Sequence, residues 1–110
     1  MENIKNLDKQ SFDEVIKNNN IVIIDFWAPW CNPCKNFSHI FAQASIEEKN
    51  SDITFCKVNT DTEVELSIEM QIKSIPTIII FVNGKNIISR SGVLSPSQLD
   101  DLLIESRKYI

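Results

Sequence analysis

Residues 21–27, Ile-Val-Ile-Ile-Asp-Phe-Trp, form a nearly unbroken apolar run that constrains the fold more than any other feature of the sequence. The run is rich in β-branched residues and is typical of a strand that is buried on both faces, as in a parallel sheet. A second apolar run covers 77–82, and Asn83-Gly84 directly after it predicts a tight hairpin into a strand at 86–91. Such strands require a sheet that is covered by helices on both faces.

Four segments carry helical spacing or signals for the start of a helix. Ser11 with Glu14 fits a capping box, and Ser95 with Gln98 fits another that has Pro96 at the first helical position. The predicted helices cover 12–18, 34–49, 62–70 and a closing segment after Ser95.

Strands at about 2–7 and at 52–58 complete the pattern. Strands and helices then alternate until the last two strands, which predicts parallel βαβ units followed by an antiparallel pair. We therefore expect an α/β fold with one mixed sheet and helices on both faces. The length of 110 residues is that of one domain, residues 1–110.

Composition excludes several classes of function. No apolar run approaches the roughly 20 residues of a membrane-spanning helix. The formal net charge of −4 argues against nucleic-acid binding, which needs a basic face. Residues 1–10 lack the basic and apolar regions of a signal peptide, so we expect a cytoplasmic protein. The three cysteines, an odd and sparse number, argue against a secreted disulfide framework.

The pair Cys31 and Cys34 lies where the first apolar run gives way to a helix. Residues three apart share one face of a helix, so the two sulfurs can form a disulfide or separate with little backbone movement. The helix N-terminus favours an anion, which lowers the pKa of the Cys31 thiol and makes it the nucleophile. Pro33 fits in the first turn, and Cys34 lies one turn deeper, where it suits a resolving role.

A zinc half-site and an inert buried pair are the two alternatives for these cysteines. Zinc takes four ligands, and the other candidates are Cys56 and His39. His39 lies roughly 12 Å along the helix from Cys31, at 1.5 Å per residue, so the two cannot share one centre. In a chain with βαβ patterning, the Cys31–Cys34 motif favours redox chemistry over a metal site.

Several further segments, in order and with matching spacing, make the chain resemble the thioredoxin family over nearly its whole length. These segments are Asp-Phe-Trp-Ala-Pro-Trp-Cys-Asn-Pro-Cys-Lys at 25–35, Lys-Val-Asn-Thr-Asp at 57–61, Ile-Lys-Ser-Ile-Pro-Thr at 72–77, Phe-Val-Asn-Gly at 81–84 and Ser-Gly at 91–92. The resemblance implies the thioredoxin fold, a central mixed five-stranded sheet flanked by four helices. It also implies reversible reduction of protein disulfides, with Cys31 attacking and Cys34 resolving the mixed disulfide.

The resemblance assigns further residues to the site. Asp25 matches a buried carboxylate that accepts the proton of Cys34, directly or through water, and burial in an apolar strand would raise its pKa. Lys57 matches a lysine whose ammonium partly offsets that burial. The alternatives are an Asp25 that reaches solvent at the end of its strand and a solvated Lys57.

Ile75-Pro76 resembles the family's cis-proline loop, whose backbone pairs with an extended substrate; a trans proline before an edge strand is the alternative. The resemblance implies an apolar docking surface around Cys31, whereas Trp27 fits core packing beneath the site. The residues of this surface are Trp30, Ile75, Pro76, Gly92 and Val93. The expected partners are disulfide-containing proteins and thioredoxin reductase, an NADPH-dependent flavin enzyme. We expect a monomer with no bound cofactor or metal other than its own redox-active disulfide.

Three residues depart from the family pattern, and one cysteine has no partner in the sequence. Asn32 replaces a glycine, and the dipeptide Asn32-Pro33 between the cysteines tunes the reduction potential. His39 replaces a proline that kinks the helix, Ser74 replaces a glycine, and Cys56 fits a buried filler better than a regulatory thiol. Asn32 is the feature that points toward an oxidase or isomerase, and a non-catalytic binding subunit of this fold is the other alternative.

Overall fold

A computed structural model describes residues 3–110 of the chain. It contains five strands and four α-helices, and a short 3₁₀ turn at Glu48–Asn50 follows the second helix. In chain order these elements are β1 (Ile4–Asn6), α1 (Lys9–Asn18), β2 (Ile21–Trp27), α2 (Asn32–Ile46), β3 (Thr54–Asn59), α3 (Val64–Glu69), β4 (Thr77–Val82), β5 (Lys85–Ser91) and α4 (Pro96–Arg107).

The strands form one mixed sheet in the order β1-β3-β2-β4-β5. β1 and β2 both pair with β3 in parallel, whereas β4 pairs with β2 and β5 pairs with β4 in antiparallel fashion. This arrangement confirms the expected mixed five-stranded sheet with four helices. β1 lies inside the strand expected at 2–7, of which residue 2 is outside the described residues.

Two cores lie on opposite faces of the sheet because successive side chains of a strand point to opposite sides. Ile21 and Ile23 of β2 belong to the core that α2 and α4 cover, while Val22 and Ile24 belong to the core that also includes Phe12 of α1. β2 is buried on both faces, as its continuous apolar run predicts. The same alternation places Asp25 on the face that α2 covers.

The predicted start of α1 is wrong. The helix begins at Lys9, and Asp8 is the N-cap, with its carboxylate accepting from the Ser11 backbone N–H at 2.9 Å. The Ser11 hydroxyl in turn accepts from the Asp8 N–H, so Ser11 closes the capping box from its third helical position and Glu14 takes no part in it. Asp and Ser are equally good N-caps, so residue type alone does not decide between Asp8 and Ser11.

The hairpin between β4 and β5 and the start of α4 agree with the predictions. Asn83 and Gly84 have φ angles of 52° and 82°, the left-handed pair that a type I′ turn requires. Ser95 caps α4 and Gln98 completes its capping box. No helix among residues 3–110 has both the length and the apolar character needed to span a bilayer.

Candidate active site

Cys31 and Cys34 lie at the point where the loop after β2 enters α2. Cys31 is the N-cap of the helix, and its Sγ accepts a hydrogen bond from the Cys34 backbone N–H at 3.2 Å. Asn32 and Pro33 form the start of the first turn. The two cysteines are joined by a disulfide, with their Cα atoms 5.2 Å apart. The strand-to-helix junction therefore presents both sulfurs at the positive end of α2.

Both cysteines are largely covered, and Cys34 is the more buried, with 2% of its surface exposed against 5% for Cys31. They pack with Ala28, and the half-buried side chains of Trp27 and Ile75 complete this small cluster. Because the sulfurs are shielded from bulk water, access to them depends on a partner that fits the surrounding surface.

Asp25 is fully buried, and neither of its carboxylate oxygens has a hydrogen-bond partner among residues 3–110. Burial raises the pKa of this carboxyl to about 7, and the positive charge of Lys57 opposes the rise. Asp25 lies opposite Lys57 of β3 and Ile78 of β4 in the sheet register. A solvent-reaching Asp25 is thus excluded, and the carboxyl can gain or lose a proton near neutral pH.

In the part of the chain that the structure describes, Lys57 is neither fully solvated nor paired with the carboxylate beside it. Its Nζ donates to Ser38 Oγ of α2 at 2.7 Å and lies 5.5 Å from the centre of the Trp27 ring. A cavity of about 410 Å³ opens here, and its lining includes Cys34 and His39. Cys34 and Lys57 therefore border one and the same cavity.

The loop before β4 faces the disulfide from the other side. The Ile75–Pro76 peptide bond is cis, and the Ile75 carbonyl oxygen lies 3.8 Å from Cys31 Sγ. The Pro76 carbonyl accepts from the Gly92 backbone N–H at 2.8 Å, which joins this loop to the end of β5. The trans alternative for Pro76 is excluded, and three distant segments meet at Cys31.

The exposed surface beside the disulfide is apolar. Trp30 and Val93 are 68% and 44% exposed, and Gly92 between the loop and Val93 has a φ of 92°. The indole Nε1 of Trp30 donates to the Asp61 carboxylate at 3.0 Å, which fixes the ring over the turn. All five residues expected at the docking surface lie in the segments that meet at Cys31, and their role in docking stays a prediction.

Sequence reasoning missed two residues that organise the site, Asp61 and Ser38. Asp61 belongs to the Lys-Val-Asn-Thr-Asp segment that the family resemblance includes. The sequence does not show, however, that its carboxylate contacts Trp30. Ser38 lies four residues after Cys34 and therefore on the same face of α2, a spacing that could have drawn attention to it.

His39, Ser74 and Cys56 lie at the edge of the site or away from it. His39 is exposed, and α2 runs through it without interruption from Asn32 to Ile46. The backbone carbonyl of Ser74 accepts a hydrogen bond from the Thr77 hydroxyl at 2.6 Å. Cys56 is fully buried in the core on the α1 side of the sheet, and burial raises its thiol pKa to about 12.

Comparison with known proteins agrees with this geometry. The sequence model of the family described as Thioredoxin matches residues 3–105. A thioredoxin of Mycoplasmoides gallisepticum is 40% identical over 96 residues, which cover 87% of this chain and 94% of that protein. The crystal structure of Malassezia sympodialis thioredoxin superposes with a TM-score of 0.88 at 29% identity, covering 96% of this chain and 92% of that one.

One further relative carries a second activity in its name. A bifunctional thioredoxin reductase/thioredoxin of Mycobacterium leprae is 38% identical over 88 residues, which cover 77% of this chain and 19% of that protein. The likeness to the thioredoxins extends over nearly the whole chain and includes the segment that forms the disulfide. The protein is therefore a thiol–disulfide oxidoreductase, and the chain belongs to the thioredoxin family.

Proposed function

We propose that the protein reduces disulfides in other proteins, and that residues 1–110 act as one domain in doing so. The observation that carries the proposal is the Cys31–Cys34 disulfide at the N-terminus of α2, beside an exposed apolar surface. In the reduced protein, the Cys31 thiolate attacks one sulfur of a substrate disulfide and releases the other as a thiolate. Cys34 then attacks Cys31 Sγ, which frees the second substrate thiol and leaves the Cys31–Cys34 disulfide.

The N-cap position supports Cys31 as the nucleophile. The Cys34 N–H already donates to Cys31 Sγ, and this bond together with the helix dipole stabilises a thiolate there. Cys34 is the more buried and carries no such donor among its hydrogen bonds in the described chain, which suits it to intramolecular attack. Asn32 and Pro33 complete the first turn, so their backbone and side chains tune the same thiolate.

Asp25 is the proposed proton acceptor for Cys34. A carboxyl with a pKa of about 7 is matched to proton transfer at neutral pH, and no group of residues 3–110 forms a competing hydrogen bond to its oxygens. It lies on the sheet face that α2 covers, the helix whose first turn contains Cys34. Lys57 moderates the charge that the carboxyl gains.

The apolar surface around Cys31 is the proposed docking site for substrate proteins. Trp30 and Val93 offer exposed apolar area, and the backbone at Ile75, Pro76 and Gly92 lies beside the sulfur that is attacked. An extended substrate segment can pair with such a backbone edge while its disulfide meets Cys31.

The proposed electron donor is thioredoxin reductase, which takes electrons from NADPH through a flavin. The support is the Mycobacterium leprae relative, in which a thioredoxin reductase and a thioredoxin form one protein. This chain would hold no cofactor of its own, since the disulfide carries the two electrons. We propose that it acts as a monomer in the cytoplasm, the compartment where protein thiols are kept reduced.

A coupled assay tests the reductase role and its docking surface together. With NADPH, a thioredoxin reductase and a disulfide-containing protein substrate, the protein should sustain NADPH oxidation. Val93→Asp should raise KM for the protein substrate about tenfold or more, because it places a charge in the apolar contact. Ile46→Asp is the matched control, since Ile46 is 47% exposed and lies at the far end of α2. At 1.5 Å per residue, it is roughly 22 Å along the helix from Cys31.

The control should behave as the wild type does. Equal KM values for the Val93→Asp variant and the wild type would show that substrates dock elsewhere. Absence of NADPH oxidation with the wild type, in the presence of an active reductase, would contradict the reductase role itself.

A further inference from the structure

The Lys57 ammonium is held by a hydroxyl of α2 although a carboxylate lies beside it. Lys57 Nζ donates to Ser38 Oγ at 2.7 Å, while both oxygens of Asp25 lack a hydrogen-bond partner within the described residues. Asp25 and Lys57 are direct neighbours in the β2–β3 ladder, so their side chains leave the same face of the sheet. The charge of Lys57 acts on the Asp25 carboxyl, yet in the described chain no hydrogen bond joins the two side chains.

This arrangement is unusual for a buried carboxyl group. A buried charge is normally paired or hydrogen-bonded, because an unpartnered one is costly. Lys57 has three N–H donors, and one of them goes to Ser38 while the Trp27 ring lies against the ammonium. The side-chain oxygen that accepts from this ammonium is Ser38 Oγ, which belongs to α2.

We propose that Ser38 is a positioning residue for disulfide exchange, whose hydroxyl holds the Lys57 ammonium off the Asp25 carboxyl and so leaves that carboxyl free to exchange a proton with Cys34. The proposal rests on the role proposed above for Asp25 and adds the residue that controls it. Ser38 does not touch the reacting sulfur; it acts through Lys57.

The position of Ser38 supports this role. It lies one turn after Cys34 on the same face of α2, and both residues line the cavity that Trp27 and Lys57 also border. The other charged or titratable side chains of this cavity are Lys35 and His39, both exposed, and β4 places the apolar Ile78 opposite Asp25. Lys57 is therefore the ammonium whose placement governs the carboxyl.

The test follows the titration of Asp25 by carbon NMR of its carboxyl in the oxidised protein. Ser38→Ala removes the acceptor, and alanine is a strong helix former, so α2 should remain intact. The released ammonium should then pair with Asp25 and lower the midpoint of its titration by about one pH unit. Ser38→Thr keeps a hydroxyl and should restore most of the midpoint, and Asn36→Ala, at an exposed position of the same helix, should not change it.

A double-mutant cycle shows whether Ser38 acts through Lys57. In a Lys57→Met background, adding Ser38→Ala should leave the Asp25 midpoint where it was. An equal shift in that background, or an unchanged or raised midpoint in the single Ser38→Ala variant, would overturn the proposal.

The pH dependence of mixed-disulfide resolution separates this proposal from the one on which it rests. If the wild-type rate follows the Asp25 titration, the rate profile of Ser38→Ala should move to lower pH with the midpoint. If the wild-type rate ignores the Asp25 titration and Asp25→Asn leaves it unchanged, the proposed role of Asp25 fails. An unmoved midpoint in Ser38→Ala, with a wild-type rate that follows Asp25, overturns the role of Ser38 alone.

Discussion

Replacing Cys34 with Ser should stop turnover and leave the protein covalently attached to its substrates, whereas Cys31→Ser should abolish both turnover and attachment. A serine hydroxyl is not ionised at neutral pH and cannot displace a thiolate from sulfur, so each change should lower the rate of disulfide reduction roughly a thousandfold or more. The two outcomes differ because Cys31 makes the first bond to substrate and Cys34 breaks it.

Trapping can be measured by mass spectrometry and by electrophoresis without reductant, with release of the adduct by a dithiol as confirmation. Cys56→Ala is the matched control, because Cys56 is buried on the opposite face of the sheet from the active site, and this variant should retain turnover. Trapped substrate on Cys31→Ser but not on Cys34→Ser would reverse the assigned roles. Full turnover in either serine variant would exclude the two-cysteine mechanism.

Asp25 should destabilise the folded protein as the pH rises. Its folded pKa of about 7 lies above the ordinary value of 3.8, so between these values the folded state binds more protons than the unfolded state. Stability from this group is complete below about pH 3.8 and is lost as the pH rises through 7. The shift corresponds to about 4 kcal/mol of unfolding free energy, at 1.36 kcal/mol per pH unit.

Comparison of Asp25→Ala with the wild type isolates this effect, since other carboxyl groups titrate equally in both. Urea unfolding of the oxidised proteins measures the free energy of unfolding. Between pH 3 and pH 8, this free energy should rise in the variant by about 4 kcal/mol relative to the wild type. Asp13→Ala, at an exposed position on α1, should give a nearly constant difference. A constant difference for Asp25→Ala would mean that the buried carboxyl has an ordinary pKa and is a poor proton acceptor for Cys34.

The elements that the sequence predicts best are those whose local signals have no close competitor. The continuous apolar run of β2, the Asn83-Gly84 turn and the Ser95 cap each have one physical interpretation, and the structure agrees with all three. The predicted start of α1 was wrong because Asp8 and Ser11 are both good N-caps. Only the folded backbone decides which of the two caps the helix. The predicted end of α2 at 49 was also too late, since the chain leaves the helix at Ile46 and makes a 3₁₀ turn.

Most residues of the site could be predicted from the sequence, Asp61 and Ser38 excepted, but the geometry of the site could not. Spacing alone joins Cys31 to Cys34, whereas the position of Ile75 beside Cys31 depends on how β4 is placed in the sheet. The contact between Lys57 and Ser38 crosses from a strand to a helix that are 19 residues apart in sequence, and no local pattern encodes it. The same holds for the bond between Trp30 and Asp61.

The alternative of an oxidase or isomerase depends on Asn32, which differs from the family's usual residue between the cysteines. Asn32 is exposed in the first turn of α2, so its side chain can adjust the Cys31 thiolate without altering the packing beneath it. Pro33 is retained beside it. We therefore expect the protein to keep a reducing potential.

The most direct test of the reductase role is the equilibrium reduction potential of the Cys31–Cys34 pair, measured against a dithiol buffer of known potential. We expect a value of about −270 mV, the established figure for thioredoxin. A value of about −180 mV or above, in the range of protein disulfide isomerase, would contradict the reductase role and assign the protein an oxidising or isomerising role.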